Sequence, residues 1–247
     1  MKATVNNPFT LINVDFDRRV VVPPAGPKSW VASPCAGVWR HQLDRTGGEV
    51  ARATSIVRYE PGAAFNLHTH GGGEEILVLE GSLADEHGTY PPGTYLRNPP
   101  GSSHAPFTTE GCVLFVKLWQ FMPGDTQSVR IDTSSADWYP GLVPGLSVMP
   151  LHEFEGISSA LVRWAPHTRF NAHTHPGGEE ILVLSGLFRD EHGEYPAGTW
   201  LRSPRWSSHT PFTGAEGATI YVKVGHLGAA LLQPEAVALG VPRSIPA

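Results

Sequence analysis

The chain repeats itself. Residues 68–108 and 173–213 align without a gap at a constant offset of 105, and 29 of the 41 positions are identical. The likeness continues at lower strength. Val57-Arg58-Tyr59-Glu60-Pro61 answers to Val162-Arg163-Trp164-Ala165-Pro166, and Val116-Lys117 to Val222-Lys223 after a one-residue insertion. A duplication this close requires both halves to adopt one fold. The period is too long, and two copies too few, for a solenoid. Two domains fused head to tail are expected, over residues 8–121 and 122–247. The polar stretch 122–135, with Pro123 and Gly124, reads as the crossover.

Within each unit the pattern is that of short strands. Residues 54–59 are β-branched and alternate; 75–80 hold the run Ile76-Leu77-Val78-Leu79, closed by Gly81; 95–97 and 113–121 are further strand-like runs. Asp85-Glu86-His87-Gly88 reads as a hairpin turn. The 27 glycines and 23 prolines, about a fifth of the 247 residues, cut the chain into short pieces without reaching the composition of a disordered one. An all-β sandwich or barrel is expected, with a single short helix over 233–239. A net charge of −5 argues against a nucleic-acid partner. Two cysteines, Cys35 and Cys112, exclude a disulfide scaffold and a CxxC zinc site. No apolar run is long enough to cross a membrane, and residues 1–7 lack the apolar core of a secretory signal, so a cytoplasmic protein is expected.

The twelve histidines carry the chemistry. One residue separates His68 from His70, which on a strand puts both imidazoles on one face. Three glycines then let the chain turn back at Glu74, and His104 follows the tight turn Asn98-Pro99-Pro100-Gly101. His173, His175, Glu179 and His209 repeat these spacings. Three imidazoles and one carboxylate suit a divalent first-row transition metal and disfavour magnesium or calcium. Only one of Glu74 and Glu75, and one of Glu179 and Glu180, can face such a metal from a regular strand. The other is either a support for an imidazole N–H or a salt-bridged carboxylate. In the second copy Trp206 replaces Gly101, which would narrow or fill that pocket.

These residues resemble the two cupin motifs. Gly62-x5-His68-x-His70-x3-Glu74-x6-Gly81 is similar to the first, and Gly93-x5-Pro99-x-Gly101-x2-His104-x3-Thr108 to the second, with Thr in place of a final Asn. The second copy has His167 where the opening Gly stands, but keeps Glu179-x6-Gly186 and Gly198-x5-Pro204-x4-His209. The finer pattern HTHxGGEEILVLxGxxxDExGxYPxGTxLRxP resembles the ChrR-like cupins, which include the metal-binding domain of ChrR-type anti-sigma factors, and also small dioxygenases of the acetylacetone-cleaving type. The resemblance implies two tandem cupin jelly-roll β-barrels, a bicupin. It implies one divalent transition metal per barrel, with Fe(II) favoured over Zn, Mn, Ni or Cu. The ligands would be His68, His70, Glu74 and His104, then His173, His175, Glu179 and His209. Glu74 and Glu179 would either stay bound or leave and act as bases. The implied function is dioxygen chemistry on a small chelating substrate, a diketone, hydroxy-ketone or thiol acid. The alternative is a non-catalytic sensor; the first fifty residues hold no His-x3-Cys-x2-Cys segment of the kind that binds a sigma factor. A homodimer is expected by resemblance, through strand exchange or sheet edges.

The remaining repeated residues invite plainer readings. His87 and His192 belong to a turn. Arg58, Arg97, Arg163 and Arg202 either bind an anionic substrate carboxylate or, as the favoured expectation, pair with Asp85 and Asp190. Lys117 and Lys223 would line a barrel mouth or face solvent. Phe65, Phe107, Phe170, Phe212 and the Tyr95/Trp200 pair are candidate pocket walls, with core packing the plainer expectation. His41, His152, His167 and His226, not shared between the copies, read mostly as ordinary residues.

Overall fold

A computed structural model describes residues 11–228, so the expected helix over 233–239 lies outside the described residues. The regular elements of the described chain are all strands, apart from one 3-10 turn at Pro27–Ser29. Each repeat builds one large antiparallel sheet. The first runs Val129–Asp132, Thr94–Asn98, Glu74–Gly81, Cys112–Leu118, Ala53–Tyr59, Val38–Arg45 and Val31–Ala32. The second runs Val20–Val22, Trp200–Ser203, Glu179–Asp190, Phe212–Val224, Ile157–Trp164, Leu146–Phe154 and Tyr139–Pro140. Smaller ribbons close each jelly roll, among them His68–Thr69 with Ser103–His104 and His173–His175 with Ser207–His209.

The expected strands form because their side chains alternate between two apolar faces. One face of the first sheet points into its barrel, where Val57, Ile76, Val78, Leu96, Leu114 and Val116 pack. The second barrel is filled likewise by Val162, Ile181, Val183, Leu201 and Ile220. The other faces pack on each other. Leu43, Ile56, Leu77, Tyr95 and Phe115 of one sheet meet Met149, Leu151, Leu161, Leu182, Trp200 and Tyr221 of the other. Glycine matters most where the motif ends. Gly81 and Gly186 stand at φ +63° and +74° beside bulges, and a Cβ on either would collide with the carbonyl oxygen of Gly111 or Gly217.

The sheets exchange edges. Val20–Val22, which comes before the strands of the first sheet, pairs with Trp200–Ser203 of the second sheet. Val129–Asp132, inside the stretch read as a crossover, pairs with Thr94–Asn98 of the first.

The seam between the sheets also holds charges, and here two sequence expectations are overturned. Lys117 and Lys223 neither line a mouth nor face solvent. Lys117 donates to both oxygens of Glu180 at 2.6 Å, and Lys223 donates to Glu75, all four buried. Glu75 and Glu180 are therefore salt-bridged carboxylates, which settles the alternative left open for them. Glu75 also accepts from Tyr95 (2.6 Å), and Glu180 from Trp200 Nε1 (2.8 Å), with His226 Nε2 at 3.0 Å. Burial opposes ionisation of Glu75, but Lys223, Arg97 and Lys117 outweigh it and hold its carboxyl at about 2. Nor do the arginines pair with Asp85 and Asp190. Arg97 forks onto Asp125 (2.8 and 3.2 Å), and Arg202 and Arg52 share Asp44 (3.1 Å each). Arg58 and Arg163 lie over the rings of Trp30 and Trp138. Arg97 and Arg202 follow the same alternation as Glu75 and Glu180, facing the seam, whereas Asp85 and Asp190 reach the histidines of the barrels.

Candidate metal centre

The ribbon pairing sets the first site. His68 stands opposite His104 across an antiparallel pair, and His70 emerges beside them. Each of the three offers a ring nitrogen, and these nitrogens lie within 4.8 Å of one another. Glu74 brings Oε2 to 3.6 Å from His70 Nε2 and 3.4 Å from His104 Nε2. The turn that returns Glu74 to the site uses Gly73 at φ +77°, where a Cβ would strike the Phe121 ring. His68 Nδ1 donates to the carbonyl oxygen of Asn66 (3.0 Å), and His104 Nδ1 to Asp85 Oδ2 (3.1 Å). With those protons on Nδ1, both Nε2 atoms present lone pairs. Among the described residues, His70 Nε2 and His104 Nε2 are buried without a hydrogen-bond partner. Buried polar atoms are seldom left orphaned, and converging lone pairs beside a carboxylate fit a bound divalent transition metal.

The second site repeats this arrangement. His173, His175 and His209 form the second group of converging nitrogens, and Glu179 lies 3.4 Å from His175 Nε2 and 3.5 Å from His209 Nε2. His209 Nε2 stands 3.2 Å from both His173 Nε2 and His175 Nε2. Neutral imidazole lone pairs facing each other at that distance repel, and a cation between them removes the repulsion. All eight residues singled out in the sequence are thus brought together, in two groups of four.

The two copies differ around that common core. Asn98 Nδ2 donates to Glu74 (3.1 Å) and is itself held by Arg130. Burial disfavours the Glu74 carboxylate, yet His104, His70 and Asn98 together hold its pKa below the ordinary value. In the second copy Ser203 replaces Asn98, and burial pushes Glu179 up to about 7. Beside the first site lies a cavity of about 430 Å³, walled by Val38, Val57, Tyr59, Phe65, Leu83 and Leu114. At the positions of Tyr59 and Leu83 the second barrel carries Trp164 and Phe188, buried with ring centroids 5.4 Å apart. Trp206, expected to narrow or fill that pocket, is 66% exposed. Its amide donates to His175 O, as the amide of Gly101 does to His70 O. The larger side chains inside that barrel come from its strands, not from its turn.

Phe65 and Phe170 form walls of the sites while packing against the barrel cores, with ring centroids 5.9 and 4.9 Å from His68 and His173, whereas Phe107 is 43% exposed. Tyr95 and Trp200 are buried as expected, though in the seam. His87 and His192 keep their turn role, donating backbone N–H to Asp85 and Asp190.

The residues that sequence reasoning missed are Asp85 and Asp190. Asp85 accepts from Tyr90 (2.7 Å) as well as from His104. Asp190 accepts from Tyr195 and Arg19 (2.7 Å each) and lies 3.5 Å from His209 Nδ1. Next to each, Glu86 and Glu191 accept the backbone N–H of Ala105 and Thr210, the residues that follow the third histidine. The repeated Asp-Glu-His-Gly hairpin therefore grips the histidine-bearing strand, and its repetition was the available signal. A carboxylate behind a ligating imidazole fixes its orientation and raises its basicity. Asp85→Asn, made in a protein whose second site is disabled, is expected to weaken metal binding by about 10- to 100-fold. Competition against a chromophoric chelator measures this, and an unchanged affinity would deny Asp85 that role.

Paired barrels, each with a histidine triad and a glutamate within reach, define a bicupin with two candidate sites for a divalent metal. Residues 18–122 and 126–228 each match the ChrR cupin-like domain, and the chain belongs to that family. No curated protein matches it by sequence. Among solved structures, a proposed dioxygenase from Nostoc punctiforme is similar at a TM-score of 0.67 and 14% identity, over 87% of this chain and 82% of that one. YlbA from E. coli follows at 0.65 and 17%, over 89% and 94%. The oxalate decarboxylase of Lactobacillus farciminis stands at 0.55 and 14%, over 80% and 83%. At these identities the likeness is one of fold. Among the described residues no helix is long and apolar enough to cross a membrane.

Proposed function

We propose that the first barrel is a non-heme Fe(II) dioxygenase site for a small chelating substrate, a diketone, hydroxy-ketone or thiol acid. The observation that carries this reading is the cavity of about 430 Å³ whose lining includes His68, His70, Glu74 and His104. Iron held by His68, His70, His104 and Glu74 would supply a redox centre for dioxygen and an anchor for two substrate heteroatoms. The protein supplies the rest. Val57, Leu83, Leu114 and Val116 exclude water from the bound molecule. Tyr59 and Phe65 limit its orientation at the wall next to His68. Glu74, kept ionised by His104, His70 and Asn98, would either stay on the metal or leave it and take the proton from the acidic carbon or thiol of the substrate. The second barrel, with Trp164 and Phe188 inside it, serves as a metal-bearing structural or sensing partner.

Iron-loaded protein prepared without oxygen is expected to consume O2 when given these compounds. The activity should persist in His173→Ala/His209→Ala and vanish in His68→Ala/His104→Ala. An oxygen electrode that records no uptake with any of the three compound classes would overturn the oxygenase reading in favour of a sensor.

A further inference from the structure

The cavity of the first barrel is apolar along its walls but carries a charge pair, Arg40 and Glu49, in its lining. Arg40 Nη1 donates to both Glu49 oxygens, at 2.9 and 3.2 Å. Neither partner belongs to the metal centre, and the second barrel has no counterpart of either. Arg40 stands opposite Val57 in the strand register, and the residue opposite the matching Val162 is Val148. Glu49 lies in residues 46–52, a long connection between Val38–Arg45 and Ala53–Tyr59. The equivalent strands of the second barrel, Leu146–Phe154 and Ile157–Trp164, are joined by residues 155–156 alone. The barrel with the open cavity is therefore the one that has both an arginine in the cavity lining and a loop that delivers a carboxylate to it.

We infer that Arg40 selects substrates carrying a carboxylate at the end opposite their chelating atoms, and that Glu49 occupies its place until such a substrate binds. The inference rests on the proposal that this cavity takes a small chelator, and it specifies which one. The Glu49 side chain is 49% exposed, and an ion pair so open to water is weak, so exchanging one carboxylate for another costs little. A guanidinium in the cavity lining discriminates against a neutral ligand, which offers it no charge-assisted hydrogen bond and leaves Glu49 in place.

The test uses the full chain loaded with zinc, which binds without turnover, in calorimetric titrations. One probe is succinylacetone, a β-diketone with a carboxylate on a two-carbon arm; the other is the same diketone with a neutral propyl arm. Wild type is expected to bind succinylacetone about tenfold more tightly than the neutral analogue, as a charge-assisted contact allows. Arg40→Met should bring the two affinities together without weakening the neutral one. Glu49→Gln should raise affinity for succinylacetone alone, and it tests the idea even if Arg40→Met proves unstable. Equal affinities in wild type, with binding retained, would overturn the role of Arg40 and leave the chelating site standing. No binding of either diketone would overturn both.

Discussion

Replacing His68 and His104 together by alanine is expected to remove about one metal ion per chain, and replacing His173 and His209 the other, because loss of two of four donors leaves no multidentate site. Elemental analysis of the two variants and of their combination measures this directly. Unchanged content in His68→Ala/His104→Ala would refute the first site. The same assignment fixes the pH dependence. A ligating imidazole must be neutral, so protons compete with the metal. Burial lowers the pKa of His104, but Glu74 and Asp85 overcome it and raise the pKa above the ordinary value, so this imidazole protonates early as the pH falls. At the second site the competing group is also the carboxyl of Glu179, raised to about 7 by burial. Affinity at both sites is expected to fall steadily between about pH 8 and about pH 5. A flat profile over that range would exclude histidine ligation.

The metal-centre residues were legible in the sequence because their placement is local and periodic. The one-residue spacing of His68 and His70 needs only a strand to become a shared face, and the alternation of Glu74 with Glu75 sends one carboxylate into the barrel and the other out of it. The partner of Glu75 was not legible. Lys223 lies 148 residues away and meets it only because two sheets dock face to face, which no local period encodes. Arg97 was misassigned for the same reason: its partner Asp125 belongs to the stretch between the repeats. That stretch contains Val129–Asp132, a strand too short and polar to stand out, whose pairing is settled by the free edge of Thr94–Asn98. The repeat itself concealed the divergence of the two sites. Most aligned positions are identical, and the ones that separate the barrels, Asn98 against Ser203 and Leu83 against Phe188, acquire meaning only when each is seen against a carboxylate or inside a cavity.

The seam should make the two barrels a single folding unit. Lys223 and Glu75 are both within 2% of full burial, in an interface that includes Leu77, Tyr95, Leu182 and Trp200. Removing one partner leaves the other charge in a site that excludes water, so Lys223→Met is expected to cost about 3–5 kcal/mol of stability. Adding Glu75→Gln removes the stranded charge while keeping an acceptor for the Tyr95 hydroxyl. The double variant should therefore recover most of that loss, which an unrelated pair of destabilising changes would not do. Metal content should be unaffected in both, since Glu74 faces the opposite side of the same strand. Lys117→Met, alone and with Glu180→Gln, provides an independent copy of the experiment across the pseudo-symmetric seam. Urea unfolding followed by tryptophan fluorescence reads all of these. A single-variant loss below about 1 kcal/mol would mean that water reaches these charges and that the seam does not bind the barrels together in the way the buried pairs imply.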